Sequence, residues 1–193
     1  MKASTIIALG VVLSTSLWAN PHTMPSKTYD SIVKTGNEVA TNLIQTLGKN
    51  LKQHLKSEDP LGAATFCSTQ ALALTDSVTA QYGKNISVKR ISLKARNPVN
   101  AAQGSEKVIM EALQNLHSNG VILPKYIVER VDATTAKYYK PLRITKEVCL
   151  KCHGNIAENT KLSALLKQTY PNDKATGYTM GDLRGAIVVT ISQ

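Results

Sequence analysis

The run KEVCLKCHGN, residues 146–155, sets two thiols three positions apart with an imidazole directly after the second. Three chemistries use such a set. A closed zinc site takes four ligands, whereas this run offers Cys149, Cys152 and at most His153, and adjacent cysteine and histidine side chains point in different directions. A thioredoxin-like dithiol needs a βαβ context around the motif, and none precedes it. Covalent haem attachment uses every member: the two thiols add to vinyl groups as thioethers, and the histidine becomes an axial iron ligand. The motif therefore points to one covalent haem c, held by Cys149 and Cys152 and ligated by His153. A structural disulfide and then zinc are the competing readings.

The third cysteine, Cys67, lies far from the pair, and a leftover thiol in an exported chain asks for a partner or a function. Its helical neighbours Ala63, Ala64, Gln70 and Ala71 would let a flat macrocycle approach closely. The competing reading is a buried cysteine packing as a small hydrophobe; these residues alone leave both open. Of the other donors, His22 lies in a polar N-terminal stretch and His54 among Lys52, Gln53, Lys56 and Ser57, so both read as solvated. Core packing accounts for Met110, and a place near a helix C-terminus accounts for His117. Arg90, Arg96 and Asn97 are candidate partners for haem propionates, because carboxylates favour charge-assisted hydrogen bonds; a solvated strand edge is the bland alternative. Tyr138, Tyr139 and Tyr178 read as aromatic core, with pocket lining as the second reading.

The elements that must position these residues follow from periodicity. Ile32, Val39, Leu43, Leu47, Leu51 and Leu55 recur at spacings of four and seven and predict a long amphipathic helix ending near Ser57. Their strip is wide enough to cap a core or to pair with a second copy of the chain, a candidate homodimer contact. Asp59 as N-cap and Pro60 at the first position open a second helix, with Cys67, Ala71, Leu74 and Val78 on one face and Gly83 at its end. Near-alternation from Ile86 to Leu93 predicts a strand closed by Asn97-Pro98. Residues 101–119 predict a helix ahead of Gly120. KYIVERV and AKYYKPLR flank Asp132-Ala133-Thr134-Thr135 as a hairpin, a short helix spans Lys161 to Thr169, and Arg184 to Ser192 predicts a strand lying mid-sheet. This is an α+β domain with a mostly antiparallel sheet.

The first segment, MKASTIIALGVVLSTSLWAN, carries one positive charge at Lys2, an apolar run from Ile6 to Trp18 and a small residue, Ala19. It reads as a cleaved signal peptide over residues 1–19, followed by a polar linker over 20–27 and one domain over 28–193. The expected location is periplasmic. Export governs the reading of the net charge of +10: the basic residues are spread out and few aromatics accompany them, so no nucleic-acid partner is expected. A solvated basic surface, or attraction to an acidic partner, remains. No acid/base pair or nucleophile arrangement stands beside the motif, so no enzyme is expected.

Five stretches taken together, the alanine-rich helix around Cys67, RISLKARNPVN, KYYKPL, CLKCHG and ATGYTMGDLRGAIVV, resemble a family of exported single-haem c-type proteins with a PAS-like fold. The family was once listed only as a domain of unknown function; its members occur alone and as extracytoplasmic sensory domains of bacterial receptors. The resemblance runs from about Ala63 to the last strand. It implies a haem packed against a small antiparallel sheet flanked by helices, with His153 on one side of the iron and Cys67, from the early helix, on the other. It also implies a long lead helix joining such a domain to a signalling partner. The function expected is redox or small-gas sensing, with electron transfer to an acidic redox partner as the alternative.

Overall fold

The computed structural model describes residues 24–55 and 60–193. The signal peptide, the first half of the linker, His22, the expected end of the first helix near Ser57 and the Asp59 N-cap lie outside the described residues. Helix α1 (Ser26–His54) opens two residues inside the expected linker, where Tyr29 N–H donates to the Pro25 carbonyl at 3.0 Å. Its buried positions, Ile32, Gly36, Val39, Ala40 and Leu43, form a single stripe. That stripe packs on Val78, Val88, Tyr138, Ile187 and Val189, so it caps the chain's own core.

Four strands carry the core: β1 (Ile86–Ile91), β2 (Ile127–Arg130), β3 (Thr135–Arg143) and β4 (Leu183–Ser192). They run antiparallel in the order β1-β4-β3-β2, placing the apolar closing strand inside the sheet as its composition requires. The β2–β3 turn is held by Asp132, whose Oδ1 accepts from the backbone N–H groups of Thr134 and Thr135, both at 2.8 Å. Tyr138 and Tyr139 alternate across β3 into two separate clusters, one under α1 and one under α4 (Ser105–Ser118), so both are core residues. With α1 and α4 on its two faces, the sheet has the α+β architecture expected.

Two helices differ from expectation for local reasons. The helix predicted from 101 starts at Ser105, because the Ser92 N–H donates to the Asn100 carbonyl at 2.8 Å and the Ala102 N–H to the Ser92 carbonyl at 3.1 Å. Those bonds hold residues 101–102 extended beside β1, after a single 3-10 turn at Pro98–Asn100. The helix predicted from Pro60 divides at Gln70 into α2 (Pro60–Thr69) and α3 (Ala71–Ala80). Ser68 and Thr69 hydroxyls both donate to the Thr65 carbonyl at 2.8 Å, competing with the backbone ladder just before the break. Consequently α3 packs along β1, while α2 turns to α6 (Thr160–Thr169) and to α5 (Glu147–His153), which carries the C-x-x-C-H motif.

Gly36 decides how closely α1 approaches the sheet. A Cβ there would lie 2.3 Å from Cγ of Tyr138, a side chain only 1% exposed. Helix propensity favours alanine over glycine by about 1 kcal/mol, but overpacking against a buried ring costs about 1–3 kcal/mol. Gly36→Ala is therefore expected to lower the melting temperature. Gly48→Ala, where nothing lies within 4 Å, is expected to raise it. Thermal unfolding of the two variants checks the opposite signs.

Candidate functional site

The motif sits on a seven-residue helix that the sequence left as a connection. Helical spacing puts Cys149, Cys152 and His153 at i, i+3 and i+4, on one stripe, while Val148 and Lys151 face solvent. Gly154 closes α5 with its N–H on the Leu150 carbonyl at 2.8 Å. The turn admits only glycine, since a Cβ would stand 2.7 Å from that carbonyl oxygen.

All three cysteines carry free thiols. Burial pushes Cys152 up to about 11, with Arg96 opposing and Cys67 and Cys149 adding to the rise. A reactive dithiol needs a depressed pKa, so this environment does not suit redox exchange. Among the described residues no group of three His, Cys, Asp or Glu side chains could hold a metal ion, and a closed zinc site has no counterpart there.

Cys67 comes to the motif through packing. Ala64 of α2 sits in a buried cluster with Leu162 and Leu166 of α6, and Cys152 packs against the same cluster. The Cys67 thiol is raised by burial, against the pull of Arg90, Arg96 and Arg184, which all lie within electrostatic reach. One half-buried region thus gathers Cys67, Cys152 and three guanidinium groups.

His153 is prepared as a neutral donor. Its Nδ1–H donates to the Ala175 carbonyl at 2.8 Å, which leaves Nε2 with the ring's free electron pair. Burial first, then the charges of Arg184 and Arg96, lower its pKa to about 3. Tyr178, only 8% exposed, meets the ring edge-on at a centroid distance of 6.2 Å. Tyr178 is thus the one tyrosine of the three named that lies at the site.

The arginines divide by role. Arg90 Nε and Arg184 Nε are buried without a hydrogen-bond partner, and burial lowers the pKa of both groups. Arg184 Nη1 donates to Ser92 Oγ at 2.9 Å, and its guanidinium lies over the Tyr178 ring at 5.4 Å. Arg96 is already engaged by the protein: its Nε donates to Asp173 Oδ2 at 2.8 Å and its Nη2 to the carbonyls of Cys152 at 2.6 Å and Ala175 at 3.2 Å. Asn97 Oδ1 accepts from the Val99 N–H at 3.1 Å, capping the 3-10 turn.

Arg184, Asp173 and Ala175 are members of the site that the sequence did not single out. The signal for Arg184 was a lone cation opening an apolar strand. The β3–β4 register slips at Leu142/Arg143, so Leu183 and Ala186 both join the α4 cluster and Arg184 turns to Ser92 and Tyr178. The remaining donors lie elsewhere. Met110 is a buried core residue of α4, His117 approaches Asp182 at 3.8 Å, and His54 stacks on Phe66 with centroids 4.7 Å apart.

A search of curated proteins finds no match. Among solved structures, the cyanobacterial heme-protein Tll0287 superposes with a TM-score of 0.59 at 24% identity, over 89% of this chain and 98% of that one. The two share a fold. The model of the Tll0287-like family matches residues 25–192, nearly the whole described chain and every site residue named above. The chain belongs to the Tll0287-like family.

Proposed function

We propose that this chain is an exported protein that binds a single haem c covalently and uses it to sense redox state or a small gas. The observation that carries the reading is a convergence. Paired thiols, a neutral imidazole with a free Nε2, a third thiol, and two buried guanidinium nitrogens without partners meet between α2, α5 and the β1–β4 edge. The description of Tll0287 as a heme protein supports the same cofactor.

In this reading Cys149 and Cys152 would hold the haem as thioethers, and His153 Nε2 and Cys67 would ligate its iron. Arg90 and Arg184 donate to the propionate carboxylates, which would satisfy their orphaned nitrogens. Haem supplies a one-electron iron couple and an axial position for a diatomic ligand. The protein is not an enzyme in this proposal, and its place is the periplasm, where c-type attachment and a signal peptide both belong. Exposed Lys146, Lys151, Lys161 and Lys174 on and near α5 favour a second reading, electron transfer to an acidic partner.

The test is loading. Expressed with a c-type attachment system, the chain is expected to gain the mass of one haem and to show the absorption of a dithioether-linked haem in alkaline pyridine. An unchanged mass would sink the proposal. Arg90→Gln with Arg184→Gln is expected to keep the attached haem but lower its reduction potential, because buried positive charge favours the electron-rich state. An unchanged potential would move the propionates elsewhere.

A further inference from the structure

We propose that Arg96 and Asp173 are positioning residues for His153. Together they fix the Ala175 carbonyl, and that carbonyl holds the imidazole as its Nδ1–H tautomer with Nε2 free to donate. The inference rests on the haem reading above for its function, but its geometry is independent of it.

Residues 170–178 form an irregular strap beside α5, with Pro171 near its start and Gly177 at φ 71° near its end. Irregular segments are the mobile parts of most folds, so a carbonyl on this strap is a poor anchor unless the strap is pinned. Asp173 Oδ1 accepts the Ala175 N–H at 2.7 Å, while Asp173 Oδ2 accepts Arg96 Nε at 2.8 Å. Arg96 Nη2 then reaches the Ala175 carbonyl at 3.2 Å and the Cys152 carbonyl at 2.6 Å. One ion pair therefore grips Ala175 by its N–H and its C=O, and ties that grip to the backbone of the second motif cysteine.

Burial gives the pair its rigidity. The Arg96 and Asp173 side chains are 10% and 11% exposed, unlike the surface pairs that contribute little. Ala175 is fully buried and packs with Ile144 and Tyr178, so its carbonyl has nowhere to relocate. The strap is stitched to α5 on either side of the imidazole: Tyr178 N–H donates to the His153 carbonyl and Gly177 N–H to the Gly154 carbonyl, both at 2.9 Å. Only a planar fork serves both carbonyls and the carboxylate at once; a lysine ammonium keeps the charge and loses the geometry. Partners of this outer kind set the tautomer and basicity of a ligating histidine, and their loss typically weakens ligation about 10–100-fold.

The experiment uses the full haem-loaded chain with Arg96→Lys and Asp173→Asn. Lys94→Gln serves as a control, since Lys94 Nζ touches the same strap at the Thr176 carbonyl, 2.8 Å away, without touching Ala175. All are expected to keep covalent haem. In the ferrous protein, the iron–imidazole stretching band of both clamp variants is expected to shift to lower frequency and broaden, as the Nδ1 hydrogen bond weakens; the control keeps the parent band. Clamp variants that melt earlier yet keep the parent band would overturn the inference, leaving Arg96–Asp173 as a fold pin only.

Should the parent chain take up no haem, the haem reading fails and the clamp is read without it, by nitrogen-15 resonances of His153. The parent is expected to show the Nδ1–H tautomer and the variants a mixture. The same tautomer in all of them would overturn the clamp.

Discussion

Replacing Cys149 and Cys152 together with serine is expected to give a chain from which acid and organic solvent extract all haem, while the parent keeps it. Serine is nearly isosteric and leaves α5 its helical bonds, and His153 keeps its Nδ1–H bond to Ala175. Non-covalent haem can therefore still enter, and what disappears is the pair of thioethers. The readout is close to all-or-none, because the described residues offer only one other thiol, Cys67, on a different helix. Each single variant is expected to retain one thioether and to shift the pyridine absorption toward that of a haem with one free vinyl group. Haem that stayed bound to the double variant after extraction would remove the motif from the attachment site and leave the two cysteines as packing.

What the sequence could show of this site divides by how local the information is. The C-x-x-C-H run is legible because five consecutive residues contain everything the proposed attachment would need. The α1 stripe and the closing strand are legible because burial on one face, or on both, writes a period or a continuous apolar run into neighbouring residues. Cys67 needed the family resemblance to stand out, since its approach to α5 depends on the division of two helices at Gln70 and on contacts between α2 and α6.

Arg96 stands out in the sequence as a candidate cation, but its contacts do not. Asp173, the partner that takes its fork, stands 77 positions away in a segment that reads as a plain turn. Arg184 was hidden by a register slip, and no spacing in β4 announces that one residue will leave the alternation. Ala175 acts through its backbone carbonyl, which every residue possesses, so side-chain chemistry gives no sign of it.

Cys67→Ala is the substitution expected to change the electronic character of the site most. The Cys67 thiol stands in an environment of opposed effects: burial raises its pKa, while Arg90, Arg96 and Arg184 pull the other way. In the chain alone burial is the larger effect, and the thiol stays protonated at neutral pH. Beside a haem iron, the metal's charge would tip that balance toward thiolate, and the three guanidinium groups would then compensate a buried anion that is otherwise costly. An anionic sulfur donor stabilises the oxidised state relative to a neutral thioether, which raises the potential. Removing it is therefore expected to raise the reduction potential and to erase the thiolate features of the oxidised spectrum, with covalent haem untouched because attachment uses α5.

The same balance describes a switch. In the sensing reading, an added electron would weaken the hold of iron on an anionic Cys67, whose burial favours the protonated thiol. Carbon monoxide added to the reduced parent is then expected to bind only as Cys67 leaves, whereas in Cys67→Ala it binds without that step. Slower carbon monoxide uptake by the parent supports sensing; a parent that excludes carbon monoxide altogether keeps both ligands on reduction and supports electron transfer. If the potential and the oxidised spectrum of Cys67→Ala match the parent's, Cys67 is core packing. His117 or Met110 then becomes the ligand to test.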